Sequence, residues 1–407
     1  MSTHEGVATA AAVACALVFA LPAAGAAMVP RPTYTTPEVI IKTPFVVVHY
    51  TRTGVDHPRF MADDDHDNVP NYIEKLAAAA NKAWLWYAHN GFHAPLPDTA
   101  GPNTKLDIYV KALPAGEYGV TIPTPDAEGG AFMVIDNQLD EAHLAKHGSL
   151  QQTVAHELFH AFQLSYVPDG SIPHWVAEGS ALAMQTYVYP QIADQATFSY
   201  LDQWLTQPGR SLFDEAQGCN HCYGGALWWR FVFGLGRHVL SDYFGRLYGY
   251  EQLHRPILNG LQPLNEVLQK DVRNGSLYAE YARFSYDIYR ANYRPAAAYR
   301  LTAGASTKTT ALKVVLGLST HYVPIAVPAG ARSLTVGVEA GGGPNPNVKL
   351  VVGGPKGRVV RARVHDRGHL QTFQTRLRNA RERSSVVLIV TSGREHGTAY
   401  RVAYRAR

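Results

Sequence analysis

Cysteine is nearly absent: three residues in 407, Cys15, Cys219 and Cys222. Cys15 sits inside an N-terminal apolar run and not at its end, so it does not read as a lipoprotein cysteine. That leaves Cys219-Asn220-His221-Cys222. Structural zinc wants four ligands, so a solitary C-x-x-C in an exported chain closes a small disulfide more often than it binds metal. A redox role would need a thioredoxin-like βαβ context, which is missing. Long apolar runs are also missing beyond the first one, so no transmembrane segment is expected once that run is removed. There are no helical repeats and no low-complexity tracts. Charged residues make up only 17% and apolar ones 46%, which argues against overall disorder. The length suggests two or three domains.

The first apolar run, Val7 to Leu21, leads into Leu21-Pro22-Ala23-Ala24-Gly25-Ala26-Ala27. This pattern predicts a signal peptide over 1–27, cleaved near Ala26 or Ala27, and a secreted or extracytoplasmic protein. The region before it, Ser2 to Gly6, lacks the usual Lys or Arg. A net charge of +4 says little by itself, but its distribution is uneven. From Pro355 to Arg407 thirteen Lys/Arg face Asp366, Glu382 and Glu395. Such a stretch reads as a solvated basic face or as attraction to an anionic cell surface or nucleic acid. No specific nucleic-acid partner is expected.

The chemistry concentrates in Gln151 to Leu182. His156-Glu157-Leu158-Phe159-His160 is H-E-x-x-H. Residues four apart share a helix face, so His156 and His160 can address one metal ion. Glu157, next to the first ligand, can take a proton from water whose pKa zinc lowers to about 7. A third ligand should come from a neighbouring segment. Trp175-Val176-Ala177-Glu178-Gly179-Ser180-Ala181 offers Glu178 on a second helix, after a turn cluster of Pro168, Asp169, Gly170 and Pro173. Ala177, Gly179, Ser180 and Ala181 would allow close helix approach. His143 and His147 are also four apart, but they lack a following Glu and read as a solvated helix face.

A second candidate ion site precedes it. Asp63, Asp65, Asp67, Asn71 and Glu74 reproduce the spacing of an EF-hand-like Ca²⁺ loop, with Asn68 where the turn favours Gly. Asn tolerates left-handed backbone best after Gly. The other reading of these acids is a helix N-cap.

In order along the chain, Val39 to Tyr50 reads as one strand, Tyr72 to His89 as a helix with Trp84 and Trp86 in core packing, and Leu106 to Val110, Gly119 to Ile122 and Gly130 to Asp136 as strands. Ala131 to Ile135 is the candidate edge strand for binding an extended peptide. After Glu178 come helices at Thr197–Leu205, Tyr223–Gly234, His238–Tyr248, Leu261–Gln269 and Ser276–Tyr293. Tyr223 or His221 could donate to an oxyanion, although each also fits a structural role. Pro295 to Lys308 reads as a linker. Beyond it, alternation at 322–327, 333–338, 348–352, 386–391 and 400–404 suggests a β-sandwich.

His156-Glu157-x-x-His160 with Glu178 resembles the gluzincin class of zinc metallopeptidases. More closely, the run resembles an uncharacterised family of secreted bacterial metalloproteases. Its marks are His49-Tyr50-Thr51, Val69 to Glu74, Gly91-Phe92, Gly116 to Gly119, Val134 to Asn137, Ala155 to Gln163, Trp175 to Ala181 and Tyr223 to Ala226. The resemblance covers about Phe45 to Tyr293. It implies zinc held by His156, His160 and Glu178, with Glu157 as general base and a protein or peptide as substrate. Many gluzincins place an acid four residues past the ligand Glu to orient a histidine. That position is Leu182 here, so the histidines' partner is unassigned.

The expected architecture is α+β: a zincin-like catalytic domain over 33–300, with a small sheet, active-site helix and helical lobe, then a β-sandwich over 306–407. The expected activity is zinc-dependent peptide hydrolysis. A catalytically vestigial, calcium-dependent surface-binding protein, using the basic C-terminal β domain, is the alternative. Intact ligands and base argue against it.

Overall fold

The computed structural model describes residues 30–97, 103–124, 130–139, 149–190, 195–214, 220–341, 345–365 and 369–407. The signal peptide over 1–27, Cys219 and the His143/His147 pair lie outside the described residues. No described helix is long and apolar enough to cross a membrane. Contacts group the chain into two compact units. One takes the described residues of Met1–Ser171 and Ala181–Ser199, the other Ile172–Ser180 and Tyr200–Arg407.

The first unit holds β1 (Glu38–Lys42), β2 (Val46–Thr51), α1 (Asn71–His89), β3 (Leu106–Lys111), β4 (Gly119–Pro123), β5 (Ala131–Asp136) and α2 (Leu150–Leu164). The helix α3 (His174–Val188) is continuous through the point where the grouping changes. The expected strand over Val39 to Tyr50 is instead the hairpin β1–β2. Pro44 supplies no N–H for a ladder, and Thr43 closes the turn through its N–H to the Val46 carbonyl at 2.9 Å.

The sheet order is β1-β2-β3-β5-β4. The pairs β2–β3 and β3–β5 are parallel, and both outer pairs are antiparallel. Parallel strands require cover on both faces, and every residue of β2 and β5 is buried. This corrects the expected edge strand. Ala131 to Ile135 lies in β5, paired on both sides, and among the described residues the edges are β4 and β1. One sheet face meets α1 and α2. On the other face, Tyr109, Phe132 and Val134 form a small core with Tyr34 and Leu113. There His49 is buried between two carboxylates, with Nδ1 2.9 Å from Glu38 and Nε2 3.2 Å from Asp107. Arg31 pairs with Asp107 at 3.2 Å, and the His49 ring stacks on Tyr109 at 4.4 Å.

The remaining helices are α4 (Gln195–Thr206), α5 (Asn220–Gly224), α6 (Ala226–Leu235), α7 (Val239–Gln252), α8 (Leu261–Asp271) and α9 (Leu277–Arg290). The single helix expected from Tyr223 is broken at Gly225, whose added Cβ would sit 2.8 Å from the Cys222 carbonyl oxygen. Then follow β6 (Leu301–Thr302), β7 (Lys308–Thr309), β8 (Lys313–Val315), β9 (Ser319–Ala326), β10 (Ser333–Ala340), β11 (Asn347–Val352), β12 (Arg358–Val360), β13 (Ala362–His365), β14 (Leu370–Arg376), the short α10 (Ala380–Ser384), β15 (Val386–Ser392) and β16 (Thr398–Ala406).

These strands form two sheets: β13-β14-β10-β16-β7, with β8 also on β16, and β12-β11-β15-β9-β6. One apolar cluster draws Val336, Val338 and Val402 from the first and Val323, Leu350 and Leu388 from the second. The C-terminal region is therefore β-rich and resembles a β-sandwich. The protein as a whole is mixed α and β. The stretch read as a linker is ordered: Ala297 bridges Tyr322, and β6 pairs with β9.

Candidate metal centre

Thirteen of the fifteen residues of α2 are buried, including His156, Glu157, His160 and Gln163. A helix with apolar residues on all sides is a core helix. Buried charges there are costly unless partnered, so three ionisable groups on one such helix point to a site and not to solubility. The rings of His156 and His160 lie 4.7 Å apart, centre to centre, at 78°.

His156, His160 and Glu178 come together as predicted. Each offers one ligand atom, and these atoms lie within 4.8 Å of one another, with all three residues buried. The partners of the histidines, unassigned from sequence, are glutamines. His156 Nδ1 lies 2.9 Å from Gln185 Oε1, and His160 Nδ1 lies 2.7 Å from Gln163 Oε1. An amide oxygen only accepts, so each Nδ1 carries its ring's proton and each Nε2 presents a lone pair. Gln163 stands one turn past His160 on α2. Gln185 stands seven residues past Glu178 on α3, two helical turns on and on the same face. Two imidazole nitrogens and one carboxylate oxygen are a donor set that suits zinc.

Glu157 is held against β4. Thr121 Oγ1 lies 2.7 Å from the Glu157 carbonyl oxygen and 2.9 Å from its Oε2, in donating position to either. Gly119 permits this approach, since a Cβ there would meet Glu157 Cγ at 2.7 Å. Thr121 was not singled out from sequence, and Gly119 only as the end of a resemblance mark with no role attached. The only available signal was a Gly opening a short strand. Gly179 was expected to ease the approach of the histidine helix. Its open face instead admits Trp229 and the Cys222 carbonyl oxygen, which an added Cβ would meet at 2.8 Å and 3.0 Å. This contact sets α5, with His221 and Tyr223, beside α3 one residue from Glu178. Both side chains are buried. Burial, helped by the Arg210 charge, pushes the His221 imidazole down to about 4, so it is neutral at neutral pH. Cys222 is disulfide-bonded, and its predicted partner Cys219 lies outside the described residues.

The acidic loop is a different object. Asp63, Asp65 and Asp67 bring carboxylate oxygens within 4.8 Å of one another on a mostly exposed loop. Carboxylates cap main-chain N–H groups: Asp63 that of Asn68 at 3.0 Å, Asp65 that of Asp67 at 3.3 Å, and Asp67 that of Val69 at 2.7 Å. Asn68 adopts φ +67°, the left-handed turn foreseen for it, and His66 joins it at +60°. Asn71 joins the loop through its Oδ1, which accepts from Asp64 N–H at 3.1 Å and keeps a second lone pair. Glu74 is not a member of the three-carboxylate cluster. Burial, then the charges of Asp65, Asp67, Asp63 and Asp64, push its carboxyl above the ordinary range.

No protein-family model matches the chain, and no curated protein matches it. Among solved structures it is similar to the pre-peptidase C-terminal domain of a collagenase from Bacillus anthracis, with 13% identity, 27% of this chain, 97% of that domain and a TM-score of 0.22. A carbohydrate-binding module from Clostridium stercorarium, in complex with cellobiose, shares 13% identity over 26% of this chain and 95% of the module, with a TM-score of 0.16. Likenesses of this size carry no argument about activity or ligand.

Proposed function

We propose that the protein is a secreted zinc metallopeptidase of gluzincin type, with His156, His160 and Glu178 holding the ion and Glu157 as general base. The observation that carries this reading is the buried His/His/Glu donor set, with both imidazoles oriented by glutamine amides. When bound, zinc would polarise a peptide carbonyl and make water acidic enough to deprotonate near neutral pH. Glu157 would take that proton and return it to the leaving amine, while Thr121 orients its carboxylate. Strand β4 is paired on one side only among the described residues. Its other side offers backbone groups to an extended peptide, close to Glu157. Tyr223 is assigned to the oxyanion, and the Asp63/Asp65/Asp67 loop to Ca²⁺.

The test is elemental analysis of purified protein beside hydrolysis of a denatured protein. About one zinc per chain is expected, with hydrolysis abolished by a chelator and restored by Zn²⁺. Stoichiometric zinc with no hydrolysis of any unfolded substrate would reject the peptidase reading and leave only a metal-binding protein.

A further inference from the structure

On the β-rich region, successive residues of each strand alternate between core and solvent. Leu334, Val336 and Val338 of β10, Phe373 of β14 and Val402 of β16 point inward. The outward set is therefore Ser333 and Thr335 on β10, Gln374 and Arg376 on β14, and Arg405 on β16. Pairing brings these into two rows. Ser333 faces Arg376, with Arg407 on its other side through main-chain hydrogen bonds. Thr335 faces Gln374 on one side and Arg405 on the other. These residues line one shallow concavity in the sheet. With strands about 4.8 Å apart, the three guanidinium groups spring from a patch roughly 10 Å across. Arg363 of β13, opposite Thr372, continues the outward face by one row.

Two other arginines of this region pair with carboxylates: Arg358 meets Glu382 at 3.0 Å, and Arg401 meets Glu339 at 3.3 Å. Among the described residues Arg376, Arg405 and Arg407 have no salt-bridge partner, and no Asp or Glu lines the concavity. The Arg407 carbonyl oxygen is occupied by the N–H groups of Arg332 and Ser333. Three guanidinium groups so close, with no acidic side chain among them, repel one another, and an anion would relieve that. No aromatic side chain lines the surface, so it has no platform for nucleobases. Three or four cations also fall short of the six to ten phosphate contacts of a strong duplex binder. The hydroxyls of Ser333 and Thr335 and the amide of Gln374 sit between the arginines and match the hydroxyls between charges on an acidic sugar chain. Guanidinium groups grip carboxylates with two parallel bonds.

We infer that this outer face binds a carboxylated polysaccharide, through Arg376, Arg405 and Arg407 with Ser333, Thr335 and Gln374 between them. This goes beyond the proposed hydrolysis and does not depend on it, because the test reads binding alone. The full-length secreted chain is titrated calorimetrically with oligogalacturonate in low salt. Binding should weaken with salt at a log–log slope of about −2 to −3, as three released counterions require. Arg376→Gln with Arg405→Gln should lower affinity at least tenfold with an unchanged melting midpoint. Arg376→Lys with Arg405→Lys should fall between the two, since charge is kept and the paired bonds are lost. Neutral oligogalactose should not bind. Equal binding by the Gln double variant, or equal binding of the neutral oligomer, would overturn the assignment. So would tighter binding of duplex DNA of matched charge. If the Gln pair fails to fold, the Lys pair decides: undiminished affinity would reduce the site to a diffuse charge effect and reject it.

Discussion

The two candidate ion sites place their ligands by opposite means. At the buried centre, packing fixes α2 on every side, and neutral amides hold the two imidazoles in one tautomer. At the acidic loop, Asp63 is half-buried and Asp65 and Asp67 are exposed; the three carboxylates repel one another and are aimed by their own hydrogen bonds to main-chain N–H groups. The first should be shaped before an ion arrives, while the second should gain most of its order from the ion.

The largest effect belongs to the buried pair of carboxylates. Glu157→Gln keeps size but cannot take a proton, so zinc content should stay near one per chain while hydrolysis falls by at least 10²–10⁴-fold. Glu178→Ala removes a ligand, so zinc content itself should fall, with partial rescue by added zinc; His160→Ala should behave likewise. Full zinc and full activity in Glu178→Ala would move the third ligand elsewhere, with His174 the next to test.

A smaller loss is expected from the amides. Gln185→Leu removes the acceptor for His156 and should weaken zinc affinity about 10–100-fold, read by competition with a chelator. Gln163→Leu should do the same for His160. Gln185→Glu should restore much of what Leu loses. If both Leu variants bind zinc as the parent does, the centre is not prearranged by these amides.

For the loop, calcium at a hundredfold excess over its dissociation constant should stabilise the protein by about 2.7 kcal/mol. Asp65→Ala should abolish that increment and leave the melting temperature in chelator almost unchanged. An identical shift in chelator and in calcium would place the role of Asp65 in the loop's own hydrogen bonds.

The smallest effect lies on the far side of the sheet. Burial alone would lower the pKa of His49, but hydrogen bonds to Asp107 and Glu38, and their charges, outweigh it and raise it. A raised folded-state value means His49 stabilises fully below its unfolded value, near 6.5, and loses that contribution as pH climbs through the folded value. The destabilisation caused by His49→Gln should therefore be larger at pH 6 than at pH 9. A gap in melting temperature that is flat across this range would show that the network holds as well with a neutral ring.

What could be seen in the sequence follows from range. H-E-x-x-H, the helix carrying Glu178 and the turn at Asn68 are local patterns whose geometry is settled within a few residues. The αL conformation of Asn68 matched its place in the loop spacing. Gln185 was missed because its partner, His156, is 29 residues away and Gln carries no motif. The edge position of β4 depends on the order of strands, which alternation cannot reveal; β5 is simply the more apolar of the two. Strand β14, Leu370–Arg376, escaped notice because Phe373 is its single buried residue. The Val39–Tyr50 hairpin had a visible sign, Thr43-Pro44, that β-branched neighbours on both sides obscured.

The spacing of Glu178 and Gln185 on α3 has a mechanical meaning. A ligand and a tether ride on one continuous rod, so the rod's rotation is the only adjustable quantity between them. Substitutions along the interval leave that angle alone. Adding or deleting one residue turns the two side chains about 100° out of step and separates both tasks at once. The seven-residue interval should tolerate changes of letter far better than any change of length.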